Sequence, residues 1–221
     1  MKKYTEDILK EFTKNYPMMN DLQEDLEKLI KEVVNRIKLG GKILICGNGG
    51  SAADSEHIVG ELVKEFYIKR PIEEKFKQKL QDLVPEQDAK HITESLQGGI
   101  PAISLVAQIG FLTAYGNDVS FDMAYAQQVY VYGQKNDVFI GLSTSGNAEN
   151  VCNAAKIAKA KGLLVISLTG ETGGKLKEFS DILLNAPAQE TFMVQEYHLP
   201  LYHLICRSLE YEIFGEDICS Y

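Results

Sequence analysis

The chain has 221 residues, 45 % of them apolar and 24 % charged, which fits one globular domain and excludes a fibre or a disordered chain. Lys plus Arg number 23 against 31 Asp plus Glu, a net charge of −8 that disfavours nucleic acid as a partner. No run of about 20 apolar residues exists, so no membrane span is expected. The start of the chain turns acidic at Glu6 and Asp7 before any apolar stretch, so no secretory leader is expected and the location is read as cytoplasmic. Cys46, Cys152, Cys206 and Cys219 lie far apart without a C-x-x-C pair and read as reduced, mostly buried thiols.

Residues 1–39 read as N-terminal helices broken at Pro17. Ile8, Leu9 and Phe12 form one stripe, and Leu22, Leu26, Leu29, Ile30, Val33 and Ile37 continue with a helical period. The stripe needs a partner, either the parent domain or another subunit; oligomerisation is the expectation carried forward. Gly40-Gly41 ends the helix, Lys42 to Cys46 is a strand, and Gly47-Asn48-Gly49-Gly50-Ser51 is a turn that opens a helix from Ala52 to about Phe66. Residues 67–100 form a charged helical insertion, broken at Pro71 and Pro85. The basic residues Lys64, Lys69 and Arg70 cluster after the preceding helix and Lys75, Lys77 and Lys79 continue along the insertion; they read as a solvated face, or as one residue reaching a substrate anion.

Beyond Pro101, Ala102 to Val106 reads as a strand, Phe111 to Gly116 as a helical turn, and Phe121 to Tyr132 as a helix. Asp137 to Leu142 is a strand followed by the polar turn Ser143-Thr144-Ser145-Gly146-Asn147. A helix over 149–161, strands over 163–168 and 182–184, and a C-terminal helix over 191–214 complete the chain. The whole, 1–221, reads as a single α/β domain of three αβα layers with a central parallel sheet.

Two turns carry the first functional signal. Each follows an apolar strand and opens a helix, where free backbone N–H groups and the dipole suit an anion. Ser51, Ser143, Thr144 and Ser145 add hydroxyls, and no cation is present, which suits reversible binding of a phosphomonoester. For either turn alone, capping by Asn48, Ser51 or Asn147 explains the residues as well. Two such turns in one sheet favour a shared phosphate or sugar site. A dinucleotide site is disfavoured, because Gly47-x-Gly49-x-x-Ala52 lacks the strand and acid that should follow its helix. No Gly-Lys-Ser/Thr of a P-loop exists either, so no nucleotide cofactor is expected.

The second signal is helical spacing. His57 and Glu61 are four apart and share a face. On the last helix Gln195, His198 and His203 fall near one side. Imidazole, carboxylate and amide together can hold a zinc-like ion or transfer protons. Taken singly, each reads as an ordinary hydrogen-bonded helix residue or a solvated acid.

Together these residues resemble the SIS (sugar isomerase) fold family and, within it, the phosphoheptose isomerases. The resemblance is carried by Cys46-Gly-Asn-Gly-Gly-Ser-Ala-Ala53, Ser143-Thr-Ser-Gly-Asn147, His57-x-x-x-Glu61, Asn117-Asp118 and Gln195-Glu-x-His198-x-x-x-x-His203. It implies isomerisation of sedoheptulose 7-phosphate to D-glycero-D-manno-heptose 7-phosphate. It also implies a zinc site from His57, Glu61, Gln195 and His203, and a homotetramer with sites between subunits. Ser143, Thr144 and Ser145 would take the phosphate, with Asn48, Gly49 and Gly50 at the sugar and Asp118 nearby.

Three departures bear on the sugar. Ala148 stands where the family usually has a serine, Phe192 where some members have an acid, and the insertion is long. An aldose–ketose exchange needs a base for a carbon-bound proton and a shuttle for the oxygens. Glu61 is assigned the first role and His203 the second; ligation of zinc by Glu61 would compete with its role as base. Two other readings stand beside this one: action on another phosphosugar, and a non-catalytic regulator acting through its tetramer surface.

Overall fold

A computed structural model describes residues 1–215 of the chain; Cys219 lies outside the described residues. Helix α1 (Lys3–Asn15) ends before Pro17, a 3-10 turn spans Pro17–Leu22, and α2 (Gln23–Lys38) follows. Strand β1 (Ile43–Cys46) leads into α3 (Gly50–Val63). The insertion is a pair of short helices, α4 (Glu74–Gln81) and α5 (Glu86–Ser95). Then come β2 (Ala102–Ser104), α6 (Ile109–Asp118), α7 (Ala124–Tyr132), β3 (Val138–Ser143) and α8 (Glu149–Ala160). Strands β4 (Leu164–Thr169) and β5 (Ile182–Asn185) and the long α9 (Thr191–Phe214) close the fold.

All five strands are parallel, in the order β2-β1-β3-β4-β5. The side-chain period of two explains how one sheet serves two cores. Ile43, Ile45, Val138, Ile140, Leu142, Leu164, Ile166 and Leu168 face α1, α2, α3 and α9. Leu44, Cys46, Phe139 and Val165 face the other way, with Leu112, Tyr125, Val129 and the small residues Ala154, Ala155 and Ala158 of α6, α7 and α8. Three αβα layers result, and no helix among the described residues is long and apolar enough to cross a membrane.

Several expectations are corrected here. The apolar stripe of residues 1–39 is buried within its own chain, in the core shared with α9, which is the parent-domain packing of the two alternatives. Helix α6 is longer than the turn expected over 111–116, and β2 ends at Ser104, short of Val106. Arg70 is not on a solvated face, and its guanidinium is engaged by protein groups. It is fully buried and pairs with Glu210 of α9, Nε to Oε1, at 2.7 Å. Its other nitrogens donate to the carbonyls of Leu62 at 2.6 Å and Glu61 at 2.9 Å. Glu210 also accepts from the backbone N–H groups of Phe66 and Tyr67. The pair thus ties the end of α3 to α9, and both oxygens of the buried carboxylate accept from the protein.

Candidate active site

Strand order reverses between β1 and β3, because β1 connects onward to β2 on one side and β3 to β4 on the other. In open parallel sheets the ligand crevice lies at such a point, beyond the strands' carboxyl ends. The two polar turns stand there, one after β1 and one after β3.

Neither helix start is capped by a side chain. The N-cap of α3 is Gly49, at φ +56°, and that of α8 is Ala148. The alternative of capping by Asn48, Ser51 or Asn147 is therefore not realised; the N–H groups of Gly50 and Ser51 in α3 and of Glu149 and Asn150 in α8 have no acceptor among the described residues, while Val151 N–H donates to Asn150 Oδ1 at 3.0 Å. Asn48 instead reaches across the switch point. Its Nδ2 donates to Asn150 Oδ1 at 2.8 Å, and Asn150 Nδ2 donates back to Asn48 Oδ1 at 2.9 Å. The Tyr125 hydroxyl donates to the Gly47 carbonyl at 2.9 Å. Burial pushes Tyr125 up to about 12, so it keeps the proton it donates.

The second turn is braced from behind. Asn147 Nδ2 donates to the Ser145 carbonyl at 2.9 Å, and Asn147 Oδ1 accepts from the Lys175 N–H at 3.0 Å. Gly146 sits at φ +66°, and a Cβ there would overlap the Gly173 carbonyl, so the two loops meet only through glycine. Ser143 is buried, Thr144 half-buried and Ser145 exposed, a graded row of hydroxyls along the crevice.

Helix α9 crosses α3 and brings in the distant residues. Gln195 lies over the start of α3, where a Cβ on Gly50 would strike its amide. Two turns further, the rings of His57 and His203 meet edge to face, with centroids 5.1 Å apart. His57 Nε2 is 3.5 Å from Glu61 Oε1, and Lys64 Nζ is 3.0 Å from Glu61 Oε2. The Glu61 side chain is 13 % exposed, mostly shielded and still reachable. Burial holds His203 below the ordinary histidine range, with the adjacent His57 pushing the same way and Glu61 opposing.

His57, Glu61, Gln195 and His203 are thus brought to the contact of α3 and α9, with Gln195 against the turn that holds Asn48, Gly49, Gly50 and Ser51 and the other three further along α3. His198 is not among them. It is buried, Nε2 donating to the Thr169 carbonyl at 3.2 Å, and burial lowers it to about 4. Asn117 and Asp118 hydrogen-bond each other at the exposed end of α6 and share no hydrogen bond with this cluster among the described residues. Sequence reasoning missed Asn150 and Tyr125, which shape the first turn, and Tyr202, whose hydroxyl meets His57.

A doubly wound sheet with two open helix starts at its switch point defines an α/β protein whose candidate site sits at the carboxyl ends of β1 and β3. The chain belongs to the SIS domain family, which matches residues 4–100 and 89–170. It is 38 % identical over 192 residues to the phosphoheptose isomerase of Burkholderia pseudomallei (strain 1710b), covering 87 % of this chain and 84 % of that one. It is 36 % identical over 201 residues to the phosphoheptose isomerase of Aneurinibacillus thermoaerophilus, covering 89 % of this chain and 88 % of that one. Its fold is similar to the solved phosphoheptose isomerase GmhA of Neisseria gonorrhoeae, with a TM-score of 0.69, 30 % identity, and coverage of 94 % of this chain and 99 % of that one.

Proposed function

We propose that the protein is a phosphosugar isomerase converting sedoheptulose 7-phosphate to D-glycero-D-manno-heptose 7-phosphate, the activity its phosphoheptose isomerase relatives are named for. The observation that carries this for the chain itself is the gathering of Glu61 and His203 about His57 where α3 and α9 pack, with Gln195 lying over the uncapped start of α3.

In this reading the ester dianion lies against Ser143, Thr144, Ser145 and the free N–H groups of α8, while Asn48 to Ser51 face the sugar. The Glu61 carboxylate takes the proton from C1 of the ketose, giving an enediol, and returns a proton to C2. His203, held neutral near pH 7 by its surroundings, donates a proton to the carbonyl oxygen on C2 and accepts one from the hydroxyl on C1. Charge on the dianion is met by backbone dipoles, so binding stays reversible.

The zinc expectation rests on donor chemistry. Two imidazoles, a carboxylate and an amide oxygen suit that ion. As placed, no three His, Cys, Asp or Glu side chains among the described residues form a group that could hold a metal. Held by His57, Glu61, Gln195 and His203, zinc would supply polarisation of the substrate carbonyl. We also propose a homotetramer in which Asn117 and Asp118 of one subunit complete the site of another. The exposed apolar side chains Val119 and Phe121 beside them support this. The buried free thiols Cys46, Cys152 and Cys206 support a reducing, cytoplasmic location.

The test is incubation of the purified protein with sedoheptulose 7-phosphate and detection of the aldose, with hexose and pentose phosphates as competitors. Preferred turnover of the heptulose is expected. Faster turnover of a shorter sugar would reassign the substrate, and turnover of none would leave the regulatory reading.

A further inference from the structure

Tyr202 precedes His203 on α9 and is almost fully buried, 2 % exposed. Its hydroxyl oxygen lies 3.0 Å from His57 Nδ1 and donates to Asp54 Oδ1 at 3.3 Å. The rings of Tyr202 and His57 are edge to face, 5.4 Å between centroids. The other Asp54 oxygen, Oδ2, is buried and has no hydrogen-bond partner among the described residues.

A phenol has one hydrogen to give. A carboxylate can only accept, so that hydrogen goes to Asp54. The phenol oxygen is then left to accept, and the hydrogen between it and His57 must come from Nδ1. We infer that Tyr202 is a positioning residue: anchored by Asp54, its hydroxyl holds the His57 ring with hydrogen on Nδ1 and the lone pair of Nε2 directed to the side of Glu61. That arrangement leaves Nε2 open as a proton acceptor or ligand beside the base. It rests on His57 belonging to the isomerase centre proposed above.

The direction of the chain is open to test. A protonated Asp54 would reverse both bonds and put the hydrogen on Nε2. The measurement is a long-range proton–nitrogen NMR spectrum of the full chain labelled at histidine nitrogen, recorded where the ring is uncharged, with His57→Gln to assign the signals. The wild type is expected to show hydrogen on Nδ1. Asp54→Ala frees the phenol hydrogen for Nδ1 and is expected to move His57 to the Nε2–H form. Tyr202→Phe removes the anchor and is expected to give a mixture, with kcat lower by about tenfold and KM little changed.

A merely structural tyrosine would alter thermal stability and leave the ring form alone. An Nε2–H ring in the wild type, a ring form unmoved in both variants, or a moved ring with unchanged kcat would each overturn the inference. The NMR readout needs no turnover, so it fails or succeeds separately from the isomerase reading.

Discussion

Asn48 and Asn150 exchange two amide hydrogen bonds across the boundary between β1 and β3, joining the loop after one strand to the first turn of the helix after the other. The pair fixes the spacing of the two open helix starts. Asn150→Ala is expected to raise KM for the phosphosugar several-fold, with a smaller loss of kcat. The lost bonds cost about 1 kcal/mol of stability, because Asn48 is exposed enough for water to replace its partner. Steady-state kinetics and thermal melting on the same preparation check both.

Glu61→Gln keeps the size of the side chain and removes its basicity. Turnover is expected to fall by about 100-fold or more while the fold is retained. Circular dichroism establishes the fold and the aldose assay the activity. Near-wild-type activity would end the assignment of the base.

Breaking the Arg70–Glu210 pair should cost far more than an exposed ion pair, because both side chains are fully buried. Arg70→Met leaves a carboxylate uncompensated in the core, with an expected loss of about 3–5 kcal/mol. Urea denaturation reads this as a lower midpoint. The Arg70 guanidinium also holds the Glu61 carbonyl, so residual activity in folded protein should fall as well.

His198 carries a pH dependence of stability. Burial lowers its pKa to about 4 in the folded chain, below the usual 6.5. Between these values the unfolded chain binds the extra proton and the folded chain does not. Stability is therefore whole above about pH 6.5 and declines as pH falls toward 4, by about 3 kcal/mol from this group. Denaturation at several pH values should show that slope, and His198→Gln should flatten it.

Much of this architecture can be read from side-chain spacing. The apolar runs at 43–46 and 138–142 announce buried strands, and the Gly-rich and Ser-rich turns after them announce open helix starts. What spacing cannot supply is the partner. Arg70 sits among lysines and beside Pro71, so its local context reads as solvated; its carboxylate lies 140 positions away. Tyr202 reads as core, and only the crossing of α3 and α9 gives its hydroxyl a role. His198 and His203 are equally plausible on a helical wheel, and the sheet decides between them by burying the first. Helix α6 was legible only in part because Gly110 and Gly116 weaken its pattern, while packing of Leu112 carries it to full length.

Helices α4 and α5 together bury only Ala89, and their segment returns to its origin where the Gly98 N–H donates to the Arg70 carbonyl at 2.6 Å. Entry and exit are thus stitched together at one point on the scaffold. A segment attached in that way is exchangeable: it can be shortened, nicked or replaced by a tight loop with little effect on the sheet beneath.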